Sequence, residues 1–185
     1  MLNEIKQDAE TRMGKSIEAL EHELRRLRTG RASTALVENI KVNYYGADMP
    51  LTQVATVSIA DARTLTITPW EKQMVGPVEK AILGSDIGVT PTTAGTVIRL
   101  NMPALTEERR KELAKHVSHE GENAKVAVRN IRRDAMQQVK ELLKEKEITE
   151  DDERRAEDEI QKLTDRYVKK VDEVAKAKED ELMAL

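Results

Sequence analysis

Three arginines stand close together in the segment VAVRNIRRDAM, residues 126–136, and they are the side chains best suited to chemistry in this sequence. Arg129, Arg132 and Arg133 fall within about one turn of a predicted helix. A guanidinium group is planar, permanently charged and able to donate two parallel hydrogen bonds, so phosphate oxygens are its natural partner. The cluster therefore predicts a surface that binds a phosphate backbone.

Steps of about 100° per residue along this helix separate its charged side chains into two flanks. One flank is basic and the opposite flank is mostly acidic. A helix that needed only solubility would mix positive and negative side chains around its exposed arc. The alternative interpretation is a solvated face stabilised by oppositely charged pairs four residues apart. The basic flank comprises Lys125, Arg129, Arg132, Arg133 and Lys140.

Aromatic residues are scarce, and this narrows the kind of nucleic acid that the arginines could bind. The 185-residue chain has no Phe, one Trp and three Tyr. Recognition of single strands depends on bases that stack on exposed aromatic rings. We therefore expect the arginines to bind the backbone of a folded RNA, and we expect no DNA partner.

Two other patterns imitate catalytic or metal sites. The string AETRMGKS, residues 9–16, resembles a phosphate-binding loop but lies in a predicted helix, with Met13 on its apolar stripe. His116 and His119 are adjacent on one helical face, yet the only other histidine is His22, and a catalytic zinc needs a third protein ligand. The absence of cysteine excludes thiolate ligands and a cysteine nucleophile. We predict no catalytic residue, no metal site and no cofactor, and hence no enzyme.

Apolar residues recur at steps of three and four in three segments, which predicts three amphipathic helices. The first ends near Arg28, the second runs from an N-cap at Thr106 to about Lys146, and the third begins at Thr149. Because only a few residues join the second and third helices, we expect these two to pack antiparallel. Three apolar stripes are enough to close a monomeric bundle.

Residues 30–105 hold most of the glycine and proline, and apolar residues alternate with polar ones. Such alternation predicts short strands around Val42, Val57, Ile67 and Ile98, with a first turn at 46–48. One short helix, stopped by Gly84, interrupts them. The predicted fold class is α+β: a long antiparallel three-helix bundle, residues 1–29 and 106–185, with a small β/α/β domain inserted at 30–105.

The chain passes between the bundle and the inserted domain only twice, at residues 29–31 and 103–106. So little covalent connection predicts that the two domains can reorient, unless an interface between them fixes their angle. The hinge candidates at these crossings are Thr29, Gly30, Pro103 and Ala104.

Charge and hydropathy indicate the cellular compartment and the class of partner. The formal net charge is -3, but basic residues predominate in 105–147 and acidic residues in 148–185, so only a local surface can favour a polyanion. The N-terminus carries acidic residues where a signal peptide needs an apolar run, and no apolar stretch approaches the roughly 18 residues of a membrane span. We expect a cytoplasmic protein with no membrane partner.

Three motifs together resemble the ribosome recycling factor family of bacteria. They are LRTGRAS at 27–33, PWEK at 69–72 and GENAKVAVRNIRRDA at 121–135, and their order and the chain length also agree with that family. The resemblance implies an L-shaped, two-domain protein that enters the post-termination ribosome and binds the large subunit through 23S-type ribosomal RNA. It further implies that elongation factor G and GTP act with the protein to split the subunits, releasing mRNA and deacylated tRNA.

The resemblance also implies roles for particular residues. Gly30 corresponds to the hinge of the family. The RNA-contacting residues implied by the matching motifs, with Lys125 added from the basic flank, are Arg129, Arg132, Arg133, Arg110, Arg28 and Arg31.

A function from a different class remains open at this stage. The chain could be a non-enzymatic helical adaptor that presents its acidic third helix or its strand domain to protein partners. Such an adaptor would bind without RNA, so its affinity would depend little on salt.

Overall fold

The computed structural model describes residues 1–27 and 29–184, which form two compact units. Within these residues, the first unit contains 1–27 and 107–184, and the second contains 29–106. Arg28, one of the predicted RNA-contacting residues, lies outside the described residues, as does Leu185.

Long helices form the first unit. The α-helices of the described residues are α1 (Leu2–Arg25), α2 (Val75–Leu83), α3 (Glu107–Lys144) and α4 (Glu150–Met183), and all except α2 belong to this unit. Each of the three long helices contacts the other two, and the buried side chains recur at steps of three and four. The largest fully buried ones in the bundle are Met13, Ile160 and Leu182.

Local backbone features set the ends of these helices. α1 ends at Arg25, three residues before the predicted end, and α3 ends at Lys144 because Lys146 adopts a left-handed conformation with φ 59°. Thr149 caps α4 as predicted: its hydroxyl accepts a hydrogen bond from the Asp152 backbone amide, and the Asp152 carboxylate accepts one from the Thr149 amide. Hydrogen bonding to Thr149 lowers the pKa of Asp152, which keeps the capping carboxylate charged.

The second unit contains two antiparallel sheets and α2. β1 pairs with β2 as a hairpin, and the other four strands form a sheet in the order β3-β4-β6-β5. Leu65 and Ile67 of β4 and Ile98 and Leu100 of β6 supply fully buried side chains to the core of this unit. The strands are β1 (Lys41–Tyr44), β2 (Ala47–Pro50), β3 (Ala55–Asp61), β4 (Thr64–Pro69), β5 (Pro91–Ala94) and β6 (Val97–Asn101).

Details of the second unit differ from the sequence-based prediction. The first turn lies at Tyr45 and Gly46, with φ 49° and 93°, so Ala47 already belongs to β2. Gly84 follows α2 with φ -79° and therefore ends the helix without the left-handed turn that glycine often provides. β2 and β5 were not predicted because neither strand has a buried side chain or apolar alternation.

The predicted fold class, a three-helix bundle combined with a small α+β domain, is confirmed. Among the described residues, no helix combines the length and the apolar composition that crossing a lipid bilayer requires.

Candidate nucleic-acid interface

The apolar stripe of α3 determines where the three arginines lie. Val128 and Ile131 are buried between the helices, which fixes the rotation of α3 about its axis. As a result, Arg129 and Arg133 are exposed and Arg132 is half-buried. The half-buried position holds the aliphatic part of Arg132 by packing, while its charged end remains at the surface.

Two of the three guanidinium groups of this cluster contact neutral amides. Arg132 donates a hydrogen bond from Nη1 to the side-chain oxygen of Gln161 on α4, at 3.3 Å. Arg133 donates from Nη2 to the Asn130 side-chain oxygen at 3.1 Å. Within residues 1–27 and 29–184, no carboxylate lies within ion-pairing distance of Arg129, Arg132 or Arg133. Their positive charge is therefore available to an external anion.

Lys125 is arranged differently, although it lies on the same flank of α3. Its ammonium group lies 2.5 Å from an Asp172 carboxylate oxygen and 3.4 Å from one of Glu122. The hydrogen bond to Asp172 raises the pKa of Lys125, so the lysine is charged but already paired. Lys125 is therefore a weaker candidate for RNA binding than the three arginines, because its side chain joins α3 to α4 and its charge is already paired.

Asp134, on the side of α3 away from the arginine cluster, faces the remaining helix of the bundle. Asp134 pairs with Arg12 of α1 at 3.0 Å. α3 thus has α1 beside its acidic flank and α4 beside its basic flank. This arrangement keeps the carboxylates of α3 away from the three arginines.

Arg110, another predicted RNA ligand, lies on the same helix but far from the cluster. Arg110 lies 19 residues before Arg129 on α3, which corresponds to about 28 Å along the helix. It is half-buried, and among the described residues its Nε is a buried donor that has no hydrogen-bond acceptor. Arg31 is exposed and belongs to the second unit.

The hinge candidates lie at the start and end of the second unit and differ in backbone conformation and in burial. Gly30 has φ 78°, a conformation that favours glycine, and a Cβ at this position would lie 3.2 Å from the Leu105 side chain. Thr29 is buried, whereas Pro103 and Ala104 are exposed. A side chain at residue 30 would therefore strain this part of the chain.

The structure gives no support to the two patterns that imitate other sites. AETRMGKS lies wholly within α1, and its Met13 is fully buried, so these residues cannot wrap around a phosphate. In the described part of the chain, no group of three or more histidine, aspartate or glutamate residues is placed to hold a metal ion.

Sequence analysis did not identify Gln161 and Asp165, which stand beside the cluster on α4. Gln161 donates from its Nε2 to the Asp165 carboxylate at 2.9 Å and accepts from Arg132. The only signal in the sequence is that Gln161 follows the core residue Ile160, which places it at the edge of the buried stripe.

Comparison with known proteins identifies the family to which these features belong. The family model for the ribosome recycling factor matches residues 20–183. A ribosome-recycling factor of Xanthomonas campestris pv. campestris is 65% identical over 185 residues, covering all of both chains. A relative of the same description from Xanthomonas euvesicatoria pv. vesicatoria is 64% identical over the same length.

Solved structures give the same result. A solution structure of the ribosome recycling factor has a TM-score of 0.76 and 42% identity, and the match covers 100% of this chain and 98% of that one. A T. thermophilus ribosome recycling factor, placed with E. coli elongation factor G on the E. coli post-termination complex, has a TM-score of 0.64 and 47% identity, covering 98% of both chains. The resemblance seen in the three sequence motifs is confirmed.

Proposed function

Because the chain belongs to the ribosome recycling factor family, we propose that its helical bundle binds large-subunit ribosomal RNA and that, with elongation factor G and GTP, it splits the post-termination ribosome. The splitting releases mRNA and deacylated tRNA for new initiation. The chain is a translation factor and not an enzyme, so the GTP is hydrolysed by the elongation factor. It acts in the bacterial cytoplasm, where its ribosomal target is.

One observation carries the assignment of the binding surface. Arg129, Arg132 and Arg133 present their guanidinium groups on one part of α3 without a carboxylate partner among the described residues. Charged donors that are not neutralised within the protein gain most from a phosphate backbone, since binding also releases the counterions of the RNA. We assign Arg110 a secondary role, because it lies about 28 Å from Arg129 along α3, and we retain Arg31 and Arg28 as RNA-contacting candidates on the matching family motif alone.

The bundle is suited to transmit force. α3 has 38 residues, which gives a rod about 57 Å long. Anchored by its arginines, such a rod stays on the ribosomal RNA while elongation factor G displaces the second unit. In this proposal Thr29, Gly30, Pro103 and Ala104 absorb the backbone rotation, and the positive φ of Gly30 supports its part in it.

Polysome breakdown tests this function directly. Purified polysomes carrying post-termination ribosomes are incubated with the chain, with elongation factor G and GTP present or omitted, and the products are separated on a sucrose gradient. We expect conversion to subunits only when the chain, the factor and GTP are all present, because the chain supplies the anchor and the factor supplies the force. Breakdown by the chain alone, or equal breakdown without it, would contradict the proposal.

A further inference from the structure

Arg132 differs from the other arginines of the cluster because a residue on the neighbouring helix holds it. Its Nη1 group donates to Gln161 Oε1 at 3.3 Å, across the packed interface of α3 and α4. Among the described residues, Arg129 has no such contact on α4, and the hydrogen bond of Arg133 goes to Asn130 of its own helix. Arg132 is also the only one of the three that is half-buried.

The Gln161 amide has one possible orientation. A carboxylate such as Asp165 accepts hydrogen bonds only, so the Gln161 group 2.9 Å from it must be the NH2 donor. The amide oxygen then faces Arg132, and it accepts from the guanidinium. Asp165 thus fixes the amide, and the amide fixes the arginine.

Because the acceptor at residue 161 is neutral, it does not compensate the charge of Arg132. α4 is rich in acidic residues, and about two turns beyond Asp165 the Asp172 carboxylate contacts α3 and pairs with the charge of Lys125. Gln161 holds Arg132 in place through the same helix–helix interface but leaves its charge uncompensated. A neutral acceptor such as an amide orients the guanidinium without competing with a phosphate for its charge.

We propose that Gln161 is a positioning residue for ribosome binding: it orders the Arg132 guanidinium before the RNA arrives and leaves that group fully charged. This inference rests on the proposed function, because it takes Arg132 to be a phosphate ligand. Ordering a long side chain in advance removes part of the entropy that binding would otherwise lose.

Two substitutions at Gln161 test separately how the ordering of the Arg132 side chain and its unpaired charge contribute to binding. Gln161→Met keeps the length and helix preference of the side chain but removes the acceptor, and it is expected to weaken binding to large subunits about threefold to tenfold. The dependence of log affinity on log salt should be unchanged in this variant, since the arginine still reaches its phosphate. Gln161→Glu supplies a charged acceptor that pairs with Arg132, and it is expected to weaken binding more and to reduce the salt slope by about one unit.

A double-mutant cycle with Arg132→Ala provides the decisive test. Affinity for isolated large subunits is measured for the wild-type chain, Arg132→Ala, each Gln161 variant and each double variant, with circular dichroism to confirm that every bundle is folded. Gln7→Met, at an exposed glutamine of α1, is the matched control and should bind like the wild type. We expect the Gln161→Met effect to disappear when Arg132 is already alanine and the Gln161→Glu effect to shrink to the repulsion between the new carboxylate and the RNA, which a purely structural role would not produce.

The outcomes distinguish this inference from the proposed function. If Arg132→Ala weakens binding but the Gln161 substitutions do not, or if their effects persist unchanged in the Arg132→Ala background, the positioning role is overturned and the proposed function stands. If Arg132→Ala binds as tightly as the wild type, the positioning role is overturned together with the assignment of Arg132 as an RNA ligand, whereas the recycling function is tested separately by polysome breakdown.

Discussion

Replacing Arg129, Arg132 and Arg133 together with glutamine is expected to weaken binding to the large ribosomal subunit by at least about a hundredfold. A hydrogen bond from a charged donor contributes about 1.5–3 kcal/mol, and three of them are lost, although such losses do not add fully. The variant should also fail to break down polysomes in the presence of elongation factor G and GTP. Filter binding or sedimentation with isolated subunits measures the loss.

A second triple variant removes the same charge from elsewhere on the bundle. Arg12, Arg154 and Arg166 are exposed and pair with Asp134, Asp151 and Glu10 at 3.0, 2.9 and 2.8 Å. Because their charge is already compensated, changing these three to glutamine should alter ribosome affinity only a few-fold. Equal losses in the two triple variants would show that net charge, and not the cluster on α3, determines binding.

Truncation of a core residue beneath the cluster is expected to have the largest effect on stability. Val128 is fully buried, and Val128→Ala should lower the free energy of unfolding of the bundle by about 2 kcal/mol. This figure includes the loss of two methyl groups and the cavity they leave, partly offset by the higher helix propensity of alanine. Urea unfolding followed by the helical circular-dichroism signal measures the change.

Val126, two residues earlier on α3, offers a matched control because its side chain is 50% exposed. Val126→Ala should change the free energy of unfolding by less than about 0.5 kcal/mol in either direction. If the two variants were destabilised equally, the rotation of α3 described above, and with it the position of the arginines, would be wrong.

The helical part of the fold could be predicted because its signal is local. In each long helix, apolar residues recur at helical spacing over many turns; Met13, Val128 and Ile160 are examples from α1, α3 and α4. The Thr149 cap marks where α4 begins. The ends were less predictable: the left-handed Lys146 carries no distinctive sequence signal, since lysine seldom adopts that conformation. β2 and β5 were missed because exposed edge strands do not need apolar alternation.

The composition of the candidate site could be predicted only in part. The arginine cluster on α3 is visible in the sequence because its members lie within one turn of each other. What each charge contacts depends on the register between two helices that are distant in sequence, and no local pattern gives that register. For this reason the pairing of Lys125 with Asp172 and the contact between Arg132 and Gln161 emerged only from the structure.

The salt dependence of binding to isolated large subunits tests the central claim most directly. If unpaired guanidinium groups bind ribosomal RNA phosphates, log affinity should fall linearly with log salt, with a slope of about -2 to -3 for three contacts. The triple glutamine variant of the cluster should show a much shallower slope. A wild-type affinity that does not change with salt would contradict the account and would instead favour a helical adaptor that binds ribosomal protein.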